Sequence, residues 1–179
     1  MSGHSRWAQI KHKKAASDSK KGRLFSKLSR VITLIAGEGG SDPKANQKLA
    51  RVIEEAREAN MPSENIERAI KRALAKESSG LKEVLYEAYG PGGSALIITA
   101  VSDNTNRTTN EIRHILSQHD SKLGEEGSAL WAFERKGRDF LSKFPAVLSE
   151  NDVKKFEELL EELSDQDDVQ EVYSNAQIL

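Results

Sequence analysis

The stretch that decides the fold is Val84-Leu85-Tyr86-Glu87-Ala88-Tyr89-Gly90-Pro91-Gly92-Gly93-Ser94-Ala95-Leu96-Ile97-Ile98-Thr99-Ala100-Val101. Residues 84–89 read as a strand and 90–93 as a turn. Residues 95–101, apolar but for Thr99, have the length and composition of a fully buried strand. Upstream of this stretch the apolar period is helical. Leu24, Leu28, Val31 and Ile35 recur every three or four residues, which predicts a helix over about 15–36 ending in Gly37, Gly39 and Gly40. A second helix is expected over 45–59, burying Leu49, Val52, Ile53 and Ala56. A third, with Ser63 as its N-cap, buries Ile66, Ala69, Ile70, Ala73 and Leu74. Ser78-Ser79-Gly80 reads as a linker.

Downstream, Thr105 or Asn106 is placed to cap a helix carrying Ile112, Ile115 and Leu116. Residues 129–134, with Leu130, Trp131 and Phe133, read as a third strand. Ser149 opens a further helix with a capping box to Asp152, and 169–173 reads as a last strand. The order is ββαβαβ. The expectation is therefore an α+β chain: a three-helix domain with a basic arm over 1–80, then a small four-stranded α+β domain over 81–179 with helices on one face of the sheet.

Net charge is −1, but the charge is distributed unevenly. Residues 1–30 hold nine bases and one acid, 31–80 hold eight of each, and 81–179 hold ten bases and nineteen acids. A basic end on an otherwise acidic chain is the pattern of an arm for a polyanion. Cations on a segment that can follow a phosphate backbone gain affinity by releasing counterions. Trp7 and His12 lie among these cations and can stack on bases. The candidate nucleic-acid-binding residues are Arg6, Trp7, Lys11, His12, Lys13, Lys14, Lys20, Lys21, Arg23 and Lys27. The alternative is a solvated basic tail, with Trp7 packed on the helices. A secondary anion or partner site is read at Gly92, Gly93, Asn104, Asn106 and Arg107. There, turn and capping chemistry competes with backbone capture of an anion. Since a strand and not a helix follows the glycines, they do not form a dinucleotide or nucleoside-triphosphate loop.

Nothing in the sequence assembles into catalytic or metal chemistry. The chain has no Cys, and His114 and His119, five apart, do not share a helix face. The carboxylates Glu157, Glu158, Glu161 and Glu162 lie opposite an apolar stripe and read as a solvated face. The expectation is no catalytic residue, no metal, no cofactor, no small-molecule substrate and no membrane span, in a soluble monomer.

Four ordered blocks resemble one family. They are residues 2–28, opening Ser2-Gly3-His4-Ser5-Arg6-Trp7-Ala8-Gln9-Ile10-Lys11; Asn60-Met61-Pro62 with Asn65-Ile66-Glu67-Arg68-Ala69-Ile70; Tyr86–Gly93; and Asp103-Asn104-Thr105-Asn106-Arg107-Thr108. Together they closely resemble the YebC family, which includes the mitochondrial translational activator of cytochrome c oxidase. The likeness covers 1–137 and resumes over about 146–179. It implies a probable transcriptional regulatory protein that binds DNA, with a ribosome- or RNA-associated translation factor as one alternative and a protein-binding adaptor as another. The family opening starts at Met1, which implies a bacterial, cytoplasmic member. The family usually carries a third domain after the stretch matching Phe133-Glu134-Arg135-Lys136-Gly137. Here 138–145 form only a short bridge, so Phe140 and Phe144 are expected to be at least partly buried on the surface that domain leaves.

Overall fold

The computed structural model describes residues 18–75 and 80–179. These divide into two compact units. One comprises the described part of 15–83 with 101–104, and the other comprises 84–100 and 105–179.

The first unit holds three helices: α1 (Asp18–Gly39), α2 (Gln47–Glu58) and α3 (Ser63–Leu74). The apolar stripe of α1 supplies Leu28, Val31, Ile32 and Ile35. These close on Leu49, Val52, Ile53 and Ala56 of α2 and on Ile66 and Ala69 of α3. Three positions of the third expected stripe lie further out: Leu74 is exposed, and Ile70 and Ala73 are partly buried. α1 continues through Gly37 and stops at Gly40, whose φ of +95° a side chain would resist.

Asn46 organises the turn that follows. Its side-chain oxygen accepts from Leu49 N at 3.1 Å, capping α2. Its amide donates to Ile35 O (3.1 Å) and Gly40 O (2.9 Å), tying the end of α1 to the start of α2. A Cβ at Gly39 would stand 2.7 Å from this amide, so only glycine lets Asn46 approach. At the other end of α2, Asn60 takes φ +62°, and Met61 N donates back to Ala56 O. The cap of α3 differs from expectation. Pro62 holds the N-cap position without a side-chain bond, and Ser63 is already helical, because the fixed φ of proline suits a helix entry.

The second unit is built on a sheet of order β3-β1-β2-β7, with β1 Lys82–Tyr89, β2 Ala95–Ser102, β3 Lys122–Leu123 and β7 Val169–Ser174. β3 pairs antiparallel with β1 (Ala88 opposite Leu123), and β7 pairs antiparallel with β2 (Ile97 opposite Tyr173). Helices α4 (Thr105–Gln118) and α5 (Glu150–Asp165) complete the ββαβαβ order, so the α+β class holds. α4 begins at Thr105 itself. α5 is capped as expected by Ser149, whose Oγ accepts from Asp152 N.

The third strand is not where the sequence placed it. Residues 129–134 do not join the sheet: Leu130–Ala132 form a 3-10 turn, and Phe133–Lys136 is the strand β4. β4 pairs with β5 (Asp139–Ser142) in a separate hairpin, with Lys136 opposite Asp139. The connection is two residues long, and Gly137 takes the φ of +63° that such a turn demands. The expected bridge thus carries a strand. Two short segments, β6 (Ala146–Val147) and β8 (Ala176–Gln177), pair in parallel beyond it.

The sheet is covered twice. Leu96, Ile98 and Ala100 of β2 face Ile112 and Leu116 of α4 and Phe156, Leu159 and Leu163 of α5. Ala95 and Ile97 face Phe133, Phe140, Ala129 and Ala132, so the hairpin and its 3-10 turn cover the other side. Phe140 is buried there and meets Tyr173 edge-on at 5.3 Å. Phe144, expected to be at least partly buried, is 53% exposed, and Trp131 beside it is 55% exposed.

Asn46→Ala removes one cap and two side-chain bonds to carbonyls at the end of α1. It is expected to cost about 2 kcal/mol in chemical denaturation, with no loss of helix content in the folded state. An unchanged denaturation midpoint would show that water replaces all three bonds.

Candidate nucleic-acid interface

Six residues of the proposed basic arm, Arg6, Trp7, Lys11, His12, Lys13 and Lys14, lie outside the described residues. The other four sit on the first turns of α1. Lys21 and Arg23 are exposed and Lys20 is half-buried. Lys20, Arg23 and Lys27 each have polar or electrostatic partners. Lys27 does not lie on an open face: it is buried at 7% exposure. Its position explains this. Seven residues after Lys20, it falls between Leu24 and Val31 on the apolar side of the helix. Lys21 and Arg23 are thus the exposed cations of α1, both near its start, and they make no continuous base-reading face.

At the secondary site Arg107 is paired with a carboxylate of the protein itself. Arg107 Nη2 donates to Asp168 Oδ2 at 2.9 Å, and Thr108 Oγ donates to the same oxygen at 2.6 Å. Asp168 is almost fully buried, so this pair replaces the solvation that its charge lost. Gln166 Oε1 accepts from the backbone N–H groups of Asp168 and Val169, fixing the turn. Asn106 and Asn104 are exposed, and the Asn104 N–H is bonded to Ser102 Oγ. Gly92 and Gly93 have φ of +66° and +73°. A Cβ at Gly92 would meet Leu148 at 2.6 Å and Asp152 Oδ2 at 3.4 Å. The glycine turn is thus a packing device against the start of α5, with a carboxylate at its side.

Sequence reasoning overlooked a group at the base of the β4–β5 hairpin. Glu87 is buried on β1. Its carboxylate accepts from the N–H groups of Gly127 (2.5 Å), Ala129 (2.6 Å) and Leu130 (2.8 Å), so it folds the 124–130 loop around one charge. Tyr89 OH, two residues along, donates to Ser128 O and accepts from Trp131 Nε1 at 2.9 Å. The indole is thereby held by its polar edge while its rings stay exposed. Phe144 lies beside it, with ring centroids 5.7 Å apart and planes tilted by 34°. Phe144 O accepts from the buried Asn175 amide at 2.7 Å, and Lys143 Nζ stands 5.6 Å from the Phe144 centroid. A Trp, a Tyr and an acid at 131, 89 and 87 carry no local spacing signal, because the contact spans about forty residues of sequence.

Elsewhere in this unit an open depression of about 490 Å³ is lined by Asn110, Glu111, His114, Ile115, Glu162, Asp165 and Gln166. Its three acids make it unsuited to a polyanion. Among the described residues no three His, Asp or Glu side chains gather as a metal-ligand set, and no helix is long and apolar enough to cross a membrane.

Comparison with known proteins gives consistent likenesses. Residues 5–76 match the family model described as the TACO1/YebC protein N-terminal domain, and 81–144 match the one described as its second and third domain. The chain is 55% identical over 138 residues to a "probable transcriptional regulatory protein" of Pseudothermotoga lettingae, covering 76% of this chain and 54% of that one. A relative in Dictyoglomus thermophilum with the same name is 54% identical over 144 residues and is covered to 58%. The chain thus spans little more than half the length of these relatives. A similarly named protein of Thermoanaerobacter pseudethanolicus aligns end to end, 38% identical over 240 positions that cover 99% of this chain and 98% of that one. Those 240 positions exceed the 179 residues present here, so the relative carries an internal segment that this chain lacks. The crystal structure of a conserved hypothetical protein from Aquifex aeolicus superimposes with a TM-score of 0.88, at 33% identity and 97% coverage of both chains.

Burial, and secondarily the charges of Glu171 and Asp139, push the Tyr173 phenol well above its ordinary value of 10.0. The folded state then holds a proton that the unfolded chain releases near its ordinary value, so stability should fall as pH rises above about 10. Tyr173→Phe should lower stability at pH 8 by about 1 kcal/mol, through the lost 3.1 Å bond to Asp139, and flatten the alkaline decline. Urea titrations at several pH values check this, and equal alkaline slopes in both proteins would refute it.

Proposed function

Because the chain belongs to the TACO1/YebC family, whose relatives bear the name of transcriptional regulators, we propose that it is a non-enzymatic, DNA-binding regulator of gene expression, monomeric and cytoplasmic. It works by binding alone, without cofactor or metal. The observation that carries this reading is the concentration of nine bases against one acid in residues 1–30 of a chain whose net charge is −1. Lys11, Lys13, Lys14, Lys20, Lys21 and Arg23 supply most of the affinity by meeting phosphates. Trp7 and His12 stack on bases. Lys27 is set aside as a phosphate contact because it is buried.

A second reading, an RNA- or ribosome-associated translation factor, is favoured by one feature. The exposed cations of α1 form no continuous face of the kind a helix needs to read base edges in a major groove. Backbone contacts of this kind serve RNA as well as DNA. Crosslinking in cells with sequencing of the bound RNA and DNA, beside cosedimentation with ribosomes, separates the two.

If about four to six cations meet phosphate, the logarithm of the affinity should fall with the logarithm of salt concentration at a slope of about −3 to −5. Each of Lys13→Ala, Lys14→Ala and Lys21→Ala should reduce that slope by roughly one and weaken all sequences alike. Four neutralised lysines that leave affinity for DNA, RNA and ribosomes unchanged would remove the arm from the mechanism.

A further inference from the structure

We propose that the base of the β4–β5 hairpin is a second nucleic-acid contact, a stacking platform for unpaired bases of a single strand, formed by Trp131 and Phe144 and flanked by Lys143. This rests on the nucleic-acid-binding reading and adds a ligand form, the single strand, and a place for it.

Three observations converge. The first is exposure without mobility. Trp131 and Phe144 are more than half exposed. Yet the indole is bonded through Nε1 to Tyr89 OH and Ser128 O, each at 2.9 Å, and the Phe144 backbone is bonded to Asn175. An exposed ring anchored by its polar edge, as Trp131 is, loses little freedom on binding, which is what a stacking surface requires.

The second is charge. The half of the chain from residue 81 holds ten bases and nineteen acids, but residues 133–144, the hairpin with its base, hold four bases (Arg135, Lys136, Arg138 and Lys143) and two acids, Glu134 and Asp139. Asp139 accepts a hydrogen bond from Tyr173, and Arg135 leans over the Phe140 ring at 5.6 Å. With Lys143 at its base the hairpin thus carries a small positive excess beside the aromatic pair, in a half that is otherwise acidic. Cations beside aromatic rings suit a ligand with a planar apolar base next to a phosphate.

The third is size. The exposed apolar side chains at this place are Trp131, Phe144 and Val147. A stable protein partner buries roughly 800 Å² per side, which three side chains do not provide. One or two bases need no more than a ring apiece. Duplex bases are already stacked on one another, so the platform selects unpaired segments.

The test uses the full-length chain carrying Trp7→Phe, which leaves Trp131 as its single tryptophan and makes its emission a direct reporter of stacking. Titration with oligouridylate or oligothymidylate should quench that emission, and a duplex of equal length should not. Preference between the two oligomers assigns RNA or DNA as the source of the strand. Phe144→Ala, at an exposed position, should weaken single-strand binding about tenfold with the salt slope unchanged. Lys143→Ala should reduce the slope by roughly one. Trp131→Phe should retain most of the affinity, which keeps the test valid if Trp131→Ala misfolds. Neutralising Lys20, Lys21 and Arg23 tests the arm separately: it should weaken duplex and single strand alike and leave the quenching at saturation intact. Loss of the arm effect with persistent quenching would sink the arm and spare the platform. Absence of quenching with unchanged affinity in Phe144→Ala would overturn the platform and leave the arm standing. A concentration-dependent dimer that Phe144→Ala abolishes, without any effect on oligonucleotide binding, would overturn it in favour of self-association.

Discussion

Strand β2 has no face that tolerates water. Ala95, Leu96, Ile97, Ile98 and Ala100 are all completely buried, and they alternate between two cores. Each Leu or Ile removed from water contributes about 1.5–3 kcal/mol, so leaving either side open would forfeit several such terms at once. The unit is arranged around this demand. Helices α4 and α5 lie over the even-numbered residues, while the hairpin and the 3-10 turn before it lie over the odd-numbered ones. Phe133 and Phe140 are the hairpin's contribution, and Tyr173 on β7 completes the seat.

Burying so much apolar strand leaves the polar groups around it to be satisfied by a few charged side chains. Glu87 and Asp168 do this at two places. Glu87 gathers three N–H groups of a loop, and Asp168 gathers Arg107 and Thr108. Each is a carboxylate whose burial is sustained by directed donors. They also orient surface groups: Glu87 shapes the loop on which Trp131 is mounted, and Asp168 takes the guanidinium that the sequence offered to an external anion.

What the sequence made legible follows from periodicity. The three helices of the first unit, the strands at 84–89 and 95–101 and the α5 capping box have local signatures, and each stands close to where those signatures put it. The errors arise where geometry is non-local. Leu130, Trp131 and Phe133 read as a strand, but the Trp131 indole bonds to Tyr89, and the chain takes a 3-10 turn to bring it there. The actual third strand, Lys122–Leu123, is two residues long and has no period to detect. In the candidate site, the charge asymmetry was visible by counting, and the burial of Lys27 was implicit in its place three residues after Leu24 and four before Val31. The Arg107–Asp168 pair, sixty-one residues apart, and the Glu87 loop had no local trace. Six of the ten arm residues lie outside the described residues, so their role stays with the charge argument.

The two-residue turn at Gly137–Arg138 has a topological consequence. Lys136 and Asp139 face each other in register, so the chain leaves the hairpin and re-enters it at neighbouring points. A folded module whose own ends lie side by side, as those of many domains do, can be spliced into such a turn without displacing either strand. Its removal requires only that two residues close the gap, with one glycine to accept the backbone angle. A longer chain with a module spliced into this turn and a shorter one without it can therefore share one scaffold.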